Sequence, residues 1–221
     1  NKGPYNEKSI IDPRSPYAAA KAYSFYLVKQ YREAFNIYAV NGILFNHESP
    51  RRSENFVTRK ISRGVANILK GKQKILSLGN LNAIRDWGHA REYVNAMHLM
   101  LQQSNPEDYV ISSGNQTTVR NFVKLCFKHV GITIIFKGKE LKEIGIVKKI
   151  NTTKIKNIKM SNLFYPKIND TVVKVDKLNF RPLETNILKG DSSKAKKNLK
   201  WNPKIRIDDI AKQMVLTDLV D

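Results

Sequence analysis

Tyr17 and Lys21 stand four residues apart in the run Pro13-Arg14-Ser15-Pro16-Tyr17-Ala18-Ala19-Ala20-Lys21. On a helix, that spacing puts a phenol and an ammonium on one face, one turn apart. The ammonium favours the phenolate, and a phenolate so held is a general base near neutral pH. Spacing alone is weak. With nine tyrosines and 39 Lys and Arg among 221 residues, about 1.6 basic residues fall four places after a tyrosine by chance. Context narrows the field. Ser15 is a capping hydroxyl, Pro16 suits the first helical position, and three small alanines would let a flat cofactor approach the helix face.

Three further clusters carry chemistry-bearing side chains. Asn41-Gly42-Ile43-Leu44-Phe45-Asn46-His47-Glu48-Ser49-Pro50-Arg51-Arg52 begins as a strand and leaves through a polar loop. Ligands of doubly wound sheets bind beyond the carboxyl ends of strands, and arginine forks match phosphates. Asn46, His47, Arg51 and Arg52 are thus placed for a phosphorylated ligand, although a solvated loop would also account for them. Ser77-Leu78-Gly79-Asn80 precedes Arg85-Asp86-Trp87-Gly88-His89, where Arg85 could clamp an anion. In Phe180-Arg181-Pro182-Leu183-Glu184, Arg181 could meet a phosphate and Glu184 could accept from a ribose or a guanine edge. Four histidines and one cysteine show no metal-ligand spacing, so no metal site is expected.

These residues need elements to hold them. Periodicity predicts helices over residues 17–35, 55–69, 90–103, 118–129, 192–199 and 207–220. Apolar runs predict strands over 37–44, 74–78, 109–112, 132–136 and 171–175. A polar loop is expected over 47–54, and another through 86–88. From 137 to 170 the pattern dissolves into lysine, asparagine and isolated isoleucines, which reads as a long mobile insertion. Alternating strands and helices define an α/β architecture.

The balance of 41% hydrophobic and 26% charged residues is that of a soluble globular chain, and no run reaches a membrane-spanning length. With no secretory pattern and with Cys126 at an apolar helical position, the reading is a cytoplasmic protein in a reducing compartment. The net charge of +20 suits phosphorylated ligands or nucleic acid. Lysines are spread along the chain, and the densest basic stretch lacks stacking aromatics, so a nucleic-acid module is the weaker reading.

Taken together, the runs PRSPYAAAK, NGILFNHESPRR, NFVTRKISRGVANI, SLGNLNAIRDWGHAREYV, FRPLE followed by LKGD, and KAKKNLKWNPKI resemble the GDP-mannose 4,6-dehydratases, extended short-chain dehydrogenase/reductases. NHESPRR and RDWGHAREYV are specific to that family rather than to nucleotide-sugar epimerases in general. The resemblance implies the C-terminal part of a Rossmann-type doubly wound parallel sheet plus a smaller sugar-nucleotide-binding α/β domain. Residues 1–46 would end the cofactor domain, residues 47–221 would form mainly the substrate region interleaved with the last sheet strands, and residues 144–170 would be a lysine-rich insertion.

It further implies conversion of GDP-mannose to GDP-4-keto-6-deoxy-mannose, with NADP as internal hydride carrier, as a step toward GDP-fucose. Tyr17 would be the base and Lys21 its partner at the nicotinamide ribose. His47 and Arg52 would contact NADP, while Asn46, Lys60, Arg85, Arg181 and Glu184 would surround GDP-mannose. The complete enzyme would be a dimer or tetramer. The family's glycine-rich phosphate turn and its Thr/Ser and Glu acid–base pair would lie before Asn1, so the 221 residues alone are expected not to turn over. The rivals are an inactive remnant or split piece of this enzyme, another nucleotide-sugar dehydratase or epimerase, and the basic nucleic-acid module.

Overall fold

The Ser15 hydroxyl accepts from the backbone N–H of Ala18 at 3.1 Å, and Pro16 fills the first helical position, so the first long helix, α1 (Pro16–Phe35), starts where the sequence predicts. It ends at Asn36, which adopts the left-handed conformation with φ 51°. The computed structural model describes residues 3–156, 158, 163–180 and 188–221. Along the chain follow β1 (Gly42–Leu44), β2 (Asn46–Glu48), α2 (Val57–Leu69), β3 (Leu76–Leu78), β4 (Ile84–His89), α3 (Ala90–Leu101), β5 (Tyr109–Ile111) and β6 (Gln116–Thr118). Then come α4 (Val119–His129), β7 (Ile132–Lys137), β8 (Ile144–Ile150), α5 (Thr152–Lys156), β9 (Thr171–Val175), α6 (Ser193–Leu199) and α7 (Ile207–Val220). The chain divides into two compact units: Asn1–His47, Asp86–Gln116 and Ile187–Ile205 form one, and Glu48–Arg85, Thr117–Asn186 and Arg206–Asp221 the other.

In the first unit β1 and β5 pair in parallel, with Gly42 opposite Tyr109 and Leu44 opposite Ile111. Tyr93, Ala96 and Met100 of α3 pack with Tyr109, Ile111, Ala195, Leu199 and Trp201. The Tyr93 and Trp201 rings meet edge-on at 5.9 Å, and the indole N–H of Trp201 donates to the carbonyl of Glu92 at 2.9 Å. A Cβ on Gly88 would come within 2.3 Å of the Tyr93 ring, so that position needs glycine. Arg32 anchors the end of α1 by a bidentate pair with Asp108, at 2.7 and 3.1 Å. Burial pushes the Asp108 carboxyl up, but hydrogen bonds from Arg32 and Asn41 outweigh it and hold it below the usual carboxylate range.

In the second unit a four-stranded sheet runs in the order β3-β9-β8-β7. Strands β3 and β9 are parallel, with Leu76 opposite Val173 and Leu78 opposite Val175, whereas β8 is antiparallel to both β9 and β7. Helix α2 buries Ile61, Val65, Ile68 and Leu69; α4 contributes Phe122, Val123 and Phe127, and α7 contributes Ile210 and Met214. Each such side chain stabilises by about 1.5–3 kcal/mol. Cys126 lies in this core, as its apolar helical position predicts, and burial pushes its thiol well up. Arg59 of α2 meets Asp218 of α7 at 2.8 Å, and Lys70 donates to the Asp218 carbonyl at 2.8 Å.

Three sequence expectations change. Residues 37–41 are not strand: Arg32 donates to the Ala39 carbonyl and Asp108 accepts from the Asn41 N–H, so side chains take bonds a strand partner would have. The expected loop through residues 86–88 is part of β4, because the buried Asp86 and Trp87 are stabilised by partners distant in sequence. The expected structureless stretch holds β8, where the apolar run Ile144-Gly145-Ile146-Val147 sits between β7 and β9 amid exposed lysines.

Candidate functional site

In the first unit Tyr17 and Lys21 occupy the first turns of α1, on one face of the helix. A different stripe, Ala18, Ala22, Phe25, Val28 and Arg32, is half-buried. No residue of α1 is fully buried, and Tyr17 is 74% exposed, so the phenol and the ammonium both stand open. Asn46 and His47 begin β2. His47 Nδ1 lies 2.9 Å from the Phe45 carbonyl. A carbonyl only accepts, so Nδ1 carries the proton and Nε2 remains as the ring's acceptor. The ring lies against Tyr93 at 4.9 Å, which fixes its plane.

Asp86 is fully buried and accepts from the Ser113 N–H at 2.9 Å, the Ser113 hydroxyl at 2.6 Å and the Gly114 N–H at 2.7 Å. It shapes the turn after β5, where Gly114 has φ 75°.

In the second unit the end of β2 leads into a turn carrying Arg51 and Arg52. The Arg52 N–H donates to the Ser49 carbonyl at 3.0 Å, and the Arg51 N–H to the Ser49 hydroxyl at 3.2 Å. Arg51 is exposed. The Arg52 guanidinium carbon sits 3.5 Å from the centroid of the Phe56 ring, and its Nε lies 3.3 Å from the Glu48 carboxylate. Glu48 is buried, and the Thr58 hydroxyl donates to it at 2.6 Å. Burial raises the Glu48 pKa to about 7, against the opposing pull of Thr58 and Arg52.

Lys60 donates to Asn179 Oδ1 at 2.6 Å. Asn179 Nδ2 donates to the Ser77 hydroxyl at 3.2 Å, and that hydroxyl donates to Asp176 at 3.1 Å. Burial lowers the Lys60 pKa, opposed by the charge of Asp176. This network sits just past the carboxyl ends of β3 and β9, where sheet topology favours ligands. A Cβ on Gly79 would fall 2.3 Å from the Asn179 carbonyl oxygen, so glycine is what lets these two segments touch. Arg85 is half-buried in β4 and donates to its neighbour's carbonyl, Ile84, at 2.9 Å. Arg181 and Glu184 lie outside the described residues. Among the described residues no cluster of three or more His, Cys, Asp and Glu could hold a metal ion.

The structure therefore brings Arg52 to Glu48 and Phe56, with Thr58 bonded to Glu48, and links Lys60 through Asn179 to Ser77 and Asp176. Sequence reading missed the supporting residues. Glu48 lay inside a quoted motif without a role, and Phe56 and Thr58 lay at the start of the next helix. Asp176 and Asn179 are separated from Lys60 by more than a hundred residues, and no local signal links them.

Solved structures share this fold. Over 99% of this chain and 60% of theirs, the likeness to RMD from Pseudomonas aeruginosa complexed with NADPH has a TM-score of 0.74 at 17% identity. A dTDP-glucose 4,6-dehydratase from Bacillus anthracis in complex with NAD gives 0.68 at 20% identity, over 96% of this chain and 55% of that one. The class is thus the Rossmann-type α/β fold. A family model described as GDP-mannose 4,6 dehydratase matches residues 1–214, and the chain belongs to that family. It is 48% identical over 216 residues to GDP-mannose 4,6-dehydratase from Vibrio cholerae, covering 98% of this chain and 56% of the relative. The Homo sapiens enzyme of that name is also 48% identical over 216 residues, covering 98% and 53%. The chain spans about half the length of these relatives.

Proposed function

We propose that the chain is the portion of a GDP-mannose 4,6-dehydratase that supplies the catalytic base and much of the nucleotide-sugar site. The reaction is the NADP-dependent conversion of GDP-mannose to GDP-4-keto-6-deoxy-mannose, a lyase step toward GDP-fucose. The observation that carries this reading is the Tyr17/Lys21 pair: one turn apart on a capped helix, both exposed, in a chain of this family.

Residues of this chain fit NADP. Arg52 offers a guanidinium seated over Phe56, with its Nε beside Glu48 and its Nη groups turned to no described acceptor, and His47 offers a ring held by the Phe45 carbonyl and Tyr93. Once bound, the nicotinamide would take up a hydride from the sugar and return it. Tyr17 would withdraw the proton of the sugar C4 hydroxyl, and Lys21 would hold the ribose hydroxyls and favour the phenolate. Lys60, Asn46 and Arg85 would bind GDP-mannose, joined by Arg181 and Glu184 on the strength of the FRPLE run. A net charge of +20 would draw in a doubly charged nucleotide sugar.

We infer that the complete enzyme is a cytoplasmic dimer or tetramer. Among the described residues no helix is long and apolar enough to cross a membrane.

Two measurements test the reading. In thermal-shift titrations of the 221-residue chain, GDP-mannose should stabilise more than UDP- or dTDP-sugars. Equal shifts would point to a different nucleotide, and none with any sugar nucleotide but salt-dependent binding of DNA would favour the nucleic-acid module. The second is NMR detection of the 4-keto-6-deoxy product with added NADP. Turnover by the chain alone would overturn the expectation that more chain is needed.

A further inference from the structure

Arg52 is more constrained than an arginine on a solvated turn needs to be. Its backbone is fixed by the N–H bond to the Ser49 carbonyl, and Arg59 pins the same turn by donating to the Pro50 carbonyl. Its guanidinium carbon sits over the ring of Phe56, the N-cap residue of α2, 3.5 Å from the ring centroid, so the ring blocks one face of the fork. The carboxylate of Glu48, 3.3 Å from Nε in an ion pair rather than a hydrogen bond, holds the Nε edge of the guanidinium by charge. Glu48 is itself held by Thr58, the second residue of the same helix. Among the described residues, none takes a hydrogen bond from either Nη group of Arg52. The result is a planar donor pair with its orientation fixed before any ligand arrives.

We propose that Glu48 and Phe56 are positioning residues that preset the Arg52 guanidinium as a fork for a phosphate group of the dinucleotide. This rests on the reading of Arg52 as a cofactor contact and goes beyond it by assigning two residues that touch no ligand. A guanidinium meets a phosphate bidentately only when the two planes agree. A free arginine must lose rotamer freedom to reach that geometry, whereas a stacked and paired one has already lost it, so prior ordering appears as affinity. Thr58 supports the arrangement by keeping the carboxylate in place.

The experiment uses the 221-residue chain with ¹⁵N-labelled arginine, titrated with inorganic pyrophosphate at fixed ionic strength and pH 8. The Nε–H resonance of Arg52 is followed, so that loose binding to the basic surface is not counted. In the parent chain the resonance should shift with pyrophosphate. In Glu48→Gln and, independently, Phe56→Leu the dissociation constant should rise about tenfold, with faster Nε–H exchange. Dissociation constants within twofold of the parent in both variants, with a responding Arg52 signal, would overturn the positioning role and leave the cofactor contact standing. An Arg52 resonance that does not respond in the parent would overturn both.

Discussion

Lys60 Nζ and Asn179 Oδ1 lie 2.6 Å apart, joining α2 to the short helical turn at residues 177–179 across 119 residues of sequence. The ammonium is partly desolvated and keeps donors to spare, so it is suited to a phosphate or a sugar hydroxyl. Replacing Lys60 by Met should weaken GDP-mannose binding about tenfold. Asn179→Ala should weaken it severalfold, by roughly 1 kcal/mol, because the ammonium loses the acceptor that aims it. Isothermal titration across a sugar-nucleotide series checks both.

Glu48 links stability to pH. Its folded pKa of about 7 lies above its ordinary value of 4.5 because burial disfavours the charge, so the folded state holds the proton more tightly than the unfolded chain. The stabilisation is complete below pH 4.5 and is lost as the pH rises through 7. The total is about 3 kcal/mol. Urea denaturation of Glu48→Gln should show stability depending less on pH than the parent over this window, and equal slopes would refute the assignment.

Gly79 and Gly88 each occupy a place where a methyl group would come 2.3 Å from a neighbour: the Asn179 carbonyl oxygen for one, the Tyr93 ring for the other. Gly79→Ala and Gly88→Ala should each cost about 1–3 kcal/mol in denaturant titrations. Gly79→Ala should in addition impair GDP-mannose binding, since it displaces the backbone beside Lys60's partner.

The Arg59–Asp218 pair is almost wholly withdrawn from water, with side-chain exposures of 9% and 2%. Removing Asp218 leaves the buried Arg59 charge only the more distant and exposed Asp221, at 3.6 Å, and the Pro50 carbonyl, so Asp218→Ala should destabilise by up to about 3–5 kcal/mol. Thermal unfolding checks the loss, and Arg59→Met with Asp218→Leu together should recover part of it.

Tyr17→Phe should leave the unfolding free energy of the chain within about 0.5 kcal/mol of the parent, because the phenol is exposed. In an enzyme reconstituted to full length it should abolish turnover. A large stability loss would mean that the hydroxyl is structural.

Much of this molecule is legible locally. The Ser15–Pro16 start of α1, the apolar faces of α2 and α4, and the burial of Cys126 all follow from spacing and capping. Strand β8 was hidden because its apolar residues sit among lysines, and its partners on either side lie outside any local window. The DWG part of β4 was hidden because a buried aspartate looks like loop until Ser113 and Gly114 appear around it. Candidate ligand residues could be named from motifs, but their supports could not. Nothing near Arg52 marks Glu48 as buried, and nothing near Lys60 announces Asn179. Such pairings are made by the fold, through the ends of β2 and β3 and the first turns of α2.

Helix α1 is about 30 Å long; Arg32 is tied to Asp108 near its far end from Tyr17, and the Phe25 carbonyl, at mid-helix, accepts from Asn41. Mechanically it is a lever held more lightly at the end that carries Tyr17 and Lys21, where only Ala18 and Ala22 are half-buried. Thermal bending there would be amplified with distance from the root, and amide exchange should be fastest around residues 16–21 and slow toward residue 32. A proton-transfer group on such a lever acquires its aim only when the tip is braced, so bracing and chemistry would be switched on together.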